Sequence, residues 1–580
     1  MMDEIYNPLE LYQKEYKEKF RQICQDTFKE LKDLSKVDAA RNKETCNLIR
    51  KSRSELEAAQ HQLSGLRFLC VLLWLLVAAG ITYLIYVWQT VSFDIKASII
   101  AVLCVLVVLL CAFVHPGIRK KKKNRDSLQS VIDANVRKAW AQTESLNRLF
   151  DWDILTRMIS RTVPRIKFDP FFTVQRLADL KTRYGWSDTF NQDRSVLVSH
   201  SGEINGNPFV FCRTKEMVME EKTYSGSITI TWTTMVPAGN GRTVPQHHSQ
   251  VLTAYVTAPC PQYYEKTRLV YGNPAAPDLT FTRCQNKLAN NEQSLKFKKT
   301  LKKLQKFSRN LTDDSNYTMM TNQVFEVLFN TKDRNDEQQF RLLFTPLAQH
   351  SMLELLRNET DAYGDDFDFY KDKKINTIIA EHLQNLSIDT DPKMYQDYDL
   401  ENIESRFYSI NAEHFRSLYF GLAPLLCVPM YQQIRPVEDI YGLDMPLRSA
   451  FWEHESLANF WGEEHFQAND CLTECILKTE ELSRDDNMCR LQVSAHGFGI
   501  KARTTYVSKL GMDGRMHSIP VNWNEYYPVV GCGCVDLREI SPQEDSAMNP
   551  LERLDFMSTQ TDSMNKSKYR RHIVSHLLYE

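Results

Sequence analysis

The densest chemistry in this sequence is cationic. The stretch 295–307, LKFKKTLKKLQKF, distributes Lys298, Lys299, Lys302, Lys303 and Lys306 around a helix and leaves Phe297, Leu301 and Leu304 as a narrow apolar stripe. Such an array attracts anionic lipid headgroups or an acidic protein surface. The same spacing also describes a helix packed on its own protein with its charges in water. Nucleic acid is not an expected partner: no aromatic platform interleaves the lysines, and the chain as a whole has 71 Lys and Arg against 73 Asp and Glu, a net charge of −2.

A second basic run has a different use. Arg119, Lys120, Lys121, Lys122 and Lys123 follow one apolar segment, and Arg67 stands immediately before another. Cations at the ends of apolar segments set membrane orientation and meet anionic headgroups.

Thiols are the other candidates. Cys471 and Cys475 sit four apart, downstream of Glu463, Glu464 and His465, and Cys532 and Cys534 form a Cys-x-Cys. The four have the donor chemistry of zinc, but no His at finger-like spacing completes the set, and neither a metal nor another cofactor is expected. His247-His248 lies in a Gly/Pro-rich loop without acidic neighbours. Cys212 beside Arg213 and Cys489 beside Arg490 have a basic neighbour in sequence, yet adjacent strand residues point apart. The chain has no GxxxxGK, GxSxG, HExxH or strand-borne GxGxxG, so no catalytic residue is assigned. The 14 scattered cysteines resemble no disulfide framework and read as reduced thiols.

The elements that position these residues begin with two apolar runs. Residues 68–88 and 97–114 carry no charge, and each is long enough to span a hydrocarbon core of about 30 Å as a helix. The eight-residue link QTVSFDIK makes them an antiparallel hairpin, with Tyr83, Tyr86 and Trp88 suited to an interfacial belt. Basic residues flank the outer ends, whereas the link offers only Lys96 beside Asp94; both termini are therefore expected in the cytoplasm of a two-span protein of the cell membrane. Ile49, Ser52, Leu56, Ala59 and Leu63 before the hairpin recur at coiled-coil spacing. Leu128, Ile132, Ala139, Leu146 and Phe150 after it form a looser stripe, and an antiparallel stalk is expected.

Beyond residue 163 the pattern turns to alternation. In SITITWTTMV, Ile228, Ile230 and Trp232 share one face and Thr229, Thr231 and Thr233 the other. An Asn-Gly turn at 205–206 separates two short strands, and QVFEVLF (323–329) reads as a strand. Thr345-Pro346 opens a helix, Lys371-Asp372-Lys373 turns a hairpin, and Asp513-Gly514 turns another. SLYFGLAPLLCVPMY (417–431) is apolar but too short and Pro-broken for a span, which favours a buried core segment.

The stretches APCPQYYEKTRLVYGNPAAPDLTFTR (258–283) and VFEVLFNTKDRNDEQQFRLLFTPLAQ (324–349) resemble a family of uncharacterised membrane proteins of Firmicutes and mollicutes. The portion ending in Phe344-Thr345-Pro346 is similar to a bacterial domain of unknown function that follows two transmembrane helices. The resemblance implies this same layout and brings no activity with it.

The expected fold is an α+β membrane protein. It has a helical, coiled-coil stalk (1–66), a transmembrane helical hairpin (67–115), a returning helix (116–162) and an antiparallel β-rich domain (163–283). An αβ segment with the basic helix (284–430), a helix plus a second β region (431–541) and a polar tail (542–580) complete it. The expected role is binding or scaffolding at a lipid bilayer, through a protein partner or self-association of the stalk. The alternatives are a membrane-tethered enzyme without a recognisable motif and a lipid-contacting, membrane-shaping protein.

Overall fold

The computed structural model describes residues 7–87, 93–187, 191–238, 242–289, 291–309, 317–435, 447–485, 488–540 and 567–578. Trp88 lies outside them. The chain divides into two units. One comprises residues 1–24, 151–391 and 410–580, the other 25–150 and 392–409. The fold is mixed helix and antiparallel sheet.

The helical unit is built on two rods. The helix Ala39–Val87 has 49 residues, roughly 70 Å at 1.5 Å per residue. Facing it, Phe93–Leu109 continues through a wider turn, Leu110–Val114, into His115–Asn147. Pro116 lies just past that wider turn, whose altered hydrogen bonding makes room for its ring, so the His-Pro-Gly sequence does not stop the helix. Both rods contain a stretch long and apolar enough to cross a membrane. Val77, Leu110 and Val114 are buried between them. Gly80 permits a close approach, because a Cβ there would stand 2.6 Å from Leu103 Cδ2. Further along, Ile49, Ile132 and Ala139 form the stalk seam with Leu56, Val136 and Tyr398.

The helical region before the first rod is broken. Lys36 adopts a left-handed conformation (φ 52°), and Asp38 then accepts the Arg41 N–H at 3.0 Å as the new helix starts. Residues up to Cys24 belong to the other unit, where Phe20 stacks on Phe415 at 4.1 Å and Tyr12 meets Phe420 edge-on. The expected stalk over 1–66 is thus divided between the units.

The second unit holds both sheets. The first has seven strands: β1 (Ile166–Phe168), β2 (Arg194–Ile204), β3 (Asn207–Ala238), β4 (Arg242–Gly272), β5 (Thr280–Arg283), β6 (Phe367–Asp372) and β7 (Ile375–Ala380). Their order is β1-β2-β3-β4-β7-β6-β5. The region 163–283 is therefore not closed on itself: the hairpin at Lys373 (φ 55°) completes its sheet. The second sheet contains β8 (Ile476–Arg484), β9 (Cys489–Leu510), β10 (Met516–Glu539), β11 (Ser567–Arg570) and β12 (Ile573–Leu578), in the order β11-β12-β10-β9-β8. The last two strands come from the sequence read as a polar tail.

β3 and β4 are far longer than the sequence suggests. They pair without interruption from Phe209↔Tyr271 to Ala238↔Arg242, so His247 and His248 lie in a strand rather than a loop. β9 and β10 form a comparable hairpin. The two hairpins pack face to face through Ile230, Leu252, Ala254, Ile519 and Val521, with Ile228 and Trp232 beside them. The apolar face of SITITWTTMV is the face that packs.

QVFEVLF is a helix, Gln323–Phe329, not a strand. The Asn322 side chain accepts the Phe325 N–H, and left-handed Asn330 (φ 55°) ends it. Val324 and the two Phe residues favour strand locally, but the caps and full burial of Phe325, Val327, Leu328 and Phe329 decide otherwise. Thr345 caps its helix as expected, accepting the Ala348 N–H. Residues 417–428 are buried within the protein.

Candidate functional site

The basic residues at the helical rods form one cluster. Arg67, Arg119, Lys120, Lys122 and Lys123 are exposed, and Lys121 is half-buried. Lys121 Nζ donates to Gln62 Oε1 at 2.5 Å across the two rods, which places Arg67 and the 119–123 run at the same end of the apolar pair.

The basic helix Leu295–Arg309 buries Phe297 and Leu304 and exposes Lys298, Lys299, Lys302, Lys303 and Lys306. Its apolar stripe is spent on packing against its own unit. What it presents outward is charge, and Lys296 and Arg309 extend the cationic face. An inserting amphipathic helix needs a free apolar face; here Leu295 and Phe307, near the two ends, are the apolar residues left exposed, and the face between them is charged.

The cysteines are not assembled into one site. Cys471 and Cys475 approach to 3.5 Å between sulfurs, both buried. Gly497 makes room for them: a Cβ there would stand 2.5 Å from Cys471 Sγ. Burial pushes the Cys475 thiol up to about 12, the behaviour of an inert core thiol. Glu463 is turned elsewhere, accepting the Cys475 N–H at 2.7 Å and pairing with Lys215 at 2.5 Å. Cys532 is exposed and Cys534 half-buried on β10. Among the described residues no group of three or more His, Cys, Asp or Glu is placed to hold a metal. His247 and His248 instead contact Thr233 at 3.0 Å and Thr234 at 2.7 Å. Arg213 and Arg490 likewise turn away from their neighbouring thiols. Arg213 donates to the carbonyls of Leu383, Gln384 and Leu386, and Arg490 makes a two-pronged bond to Asp536.

The most concentrated chemistry lies in the interior. The helix Phe451–Trp461 runs between the two sheets and is buried nearly all round. Leu457, Ala458 and Trp461 join the core of the five-stranded sheet, while Trp452 joins that of the seven-stranded sheet. Its remaining buried residues are Glu453, His454, Glu455 and Ser456, and each meets a partner. Glu453 accepts Ser199 Oγ at 3.0 Å and lies 3.6 Å from Arg571. Glu455 accepts the Val196 N–H at 3.0 Å and pairs with Lys478. His454 meets Ser449 Oγ at 3.0 Å. Ser456 donates to the Leu197 carbonyl at 2.9 Å and accepts Arg570 Nη1 at 2.9 Å.

The partner strands supply the other half. The tight turn between β11 and β12 puts Arg571 and His572 at positive φ (45° and 61°) and carries Arg570, Arg571 and His572 inward. Arg570 Nε donates to Asp389 at 2.9 Å, and Asp389 also bonds His200. His572 Nε2 meets Asp153 at 2.7 Å. Burial alone would raise the Asp389 carboxyl, but Arg570, His200 and Arg571 together hold it far below the usual carboxylate range. Burial, reinforced by Arg571, pushes His200 down, so it is a neutral ring donating to a carboxylate. Burial likewise lowers His454 to about 4, helped by Arg484.

In this cluster acids and bases face one another directly, which is the chemistry of fastening. It joins β2, the central helix and the β11–β12 turn. Among the described residues, two surface clefts lie away from this cluster. One of about 740 Å³ is lined by Glu10, Gln13, His350 and Glu354, and one of about 230 Å³ by Asp169, Arg176, Asp179 and Arg435. In the second, Asp169 bonds Arg176 at 2.9 and 2.8 Å, and Asp179 bonds Arg435 at 2.7 and 3.0 Å. Sequence reasoning located neither clefts nor cluster. The only local sign of the cluster was Glu-His-Glu-Ser flanked by tryptophans.

Comparison with protein-family models, with curated proteins and with solved structures finds no match to this chain.

Proposed function

We propose that this chain is a membrane-anchored binding or scaffold protein, held in the bilayer by its paired apolar helices. The observation that supports the reading is a bare apolar surface on both rods. Phe68 is 71% exposed, Ile85 71% and Val102 60%, with Trp74, Leu75 and Val105 also exposed. Contiguous apolar surface on this scale is unstable in water and ordinary in lipid. The cationic cluster of Arg67 and Arg119–Lys123 at one end of the pair supports a cytoplasmic location for the rest of the chain. The interior cluster, which fastens its own strands, favours a binding body over a catalytic one. Carbonate extraction of membranes tests the anchor: the full chain is expected in the pellet, and its release into the supernatant would end the reading.

The exposed lysines favour a second contact, with an anionic leaflet or acidic protein. Each Lys near such a leaflet contributes about 1 kcal/mol. Reversing Lys298, Lys299, Lys302 and Lys303 to Glu is expected to reduce cross-linking of this helix to anionic lipid in reconstituted vesicles. Unchanged cross-linking would leave the helix a solvated face.

A further inference from the structure

Along the two long hairpins four strand edges run past the ends of their sheets. Three are guarded. β4 carries Pro245 at one end and Pro259 and Pro261 at the other end of the stretch 246–258, itself without proline or a Lys, Arg, Asp or Glu, and in the middle of that stretch Lys509 Nζ caps the Thr253 carbonyl at 2.7 Å. β9 carries Lys501, Arg503 and Lys509, and β10 carries Pro520, Glu525 and Pro528. Proline and lysine on an exposed edge block the addition of another strand.

β3 is the exception. Its β2 neighbour pairs only as far as Glu216. Beyond that point, among the described residues, β3 pairs with β4 alone. Residues 223–236, TYSGSITITWTTMV, contain neither a charge nor a proline. Thr223, Ser225, Ser227, Thr229, Thr231 and Thr233 are exposed, while Tyr224, Ile228, Ile230 and Trp232 turn toward the other hairpin. Among the described residues this is a long, regular edge whose outward backbone donors and acceptors meet no partner strand.

We propose that this edge of β3 is a self-association site, on which the same edge of a second copy of this chain pairs antiparallel about Ile230. The pairing is self-complementary. It sets Ile230 opposite the second copy's Ile230, Ile228 opposite its Trp232 and Thr229 opposite its Thr231. Like faces meet, so the inward side chains extend the packed seam and the hydroxyls extend one ladder. Thr–Thr and aliphatic–aromatic pairs are favourable across strands. An edge without charge offers nothing to select a charged peptide, whereas a second copy matches it in both composition and length. The proposal is independent of the membrane reading.

The test uses the full chain in mild detergent, with its mass followed by light scattering over a range of concentrations. The wild type is expected to form dimers. Thr231→Lys, an exposed change, sets a lysine on the edge opposite the second copy's Thr229 and brings the two like charges to diagonal positions across the axis, and is expected to weaken the dimer about tenfold or more. Thr257→Lys on the outward face of β4 is expected to leave it intact, and both variants should melt with the wild type. A photo-crosslinker at position 231 should join two copies through residues 223–236. The proposal is overturned by a monomeric wild type, by a Thr231→Lys dimer as tight as the wild type, or by crosslinks to another segment of the same chain.

Discussion

Arg570 donates Nε to Asp389 at 2.9 Å across 181 residues of sequence, with both side chains buried. A pair this enclosed is costly to break from one side, because the remaining charge has no water. Asp389→Asn is expected to destabilise the sheet-bearing unit by about 3–5 kcal/mol. Urea unfolding followed by tryptophan fluorescence would measure it, since Trp452 and Trp461 lie in the cores on either side.

Acid should weaken the same region. His454, lowered to about 4 by burial, is neutral in the folded protein at pH 6. In the unfolded chain it takes a proton near pH 6.5. Between those values the unfolded state binds more protons, so stability falls as pH falls from about 6.5 toward 4, by up to about 1.4 kcal/mol per pH unit. His200 acts in the same direction, and Asp389 extends the loss below the ordinary carboxylate range. Calorimetry should show the melting temperature dropping between pH 7 and 5, with a shallower slope in His454→Gln.

Lys371 gives a signature on the alkaline side. It is 2% exposed, donates to the Ala275 carbonyl at 3.1 Å, and burial lowers it to about 7. The unfolded lysine keeps its proton to about pH 10.4. The unfolded state therefore binds more protons between these values, and stability rises from pH 7 toward 10. Lys371→Met should flatten that rise in denaturant midpoints taken at neutral and alkaline pH.

Gly226 is required where the two hairpins cross. A Cβ on it would stand 2.1 Å from the Pro520 carbonyl oxygen, and backbone cannot yield as a flexible side chain does. Gly226→Ala is expected to cost about 1–3 kcal/mol and to shift Trp232 emission to the red as the seam opens.

Local signals were legible wherever a few adjacent residues decide the geometry. Asn205-Gly206 turns at φ 51° and 84°, Gly514 at 77°, and Thr345 caps its helix. The apolar rods and the stalk seam at Ile49 and Ile132 followed from spacing alone. Strand length did not, because Pro245 and the histidines of β4 look like loop until β3 is known to run beside them. QVFEVLF misled because strand propensity is weak against caps and burial. The Asp389–Arg570 cluster had no local trace: a pairing between distant segments leaves no period, and Arg570-Arg571-His572 within a polar stretch reads as solvated charge.

β12 lies between β11 and β10, and β11 ends in the Arg570 guanidinium that Asp389 requires. In the order of synthesis, the carboxylate, the central helix and β10 are all made before their counter-ion exists. Until then an unneutralised acid stands where the interior will be, and β10 has one side open. The body therefore closes late, after translation has passed residue 578, and a stalled or truncated product would expose itself to quality control through the acids that the β11–β12 turn neutralises, Asp389, Glu453 and Asp153.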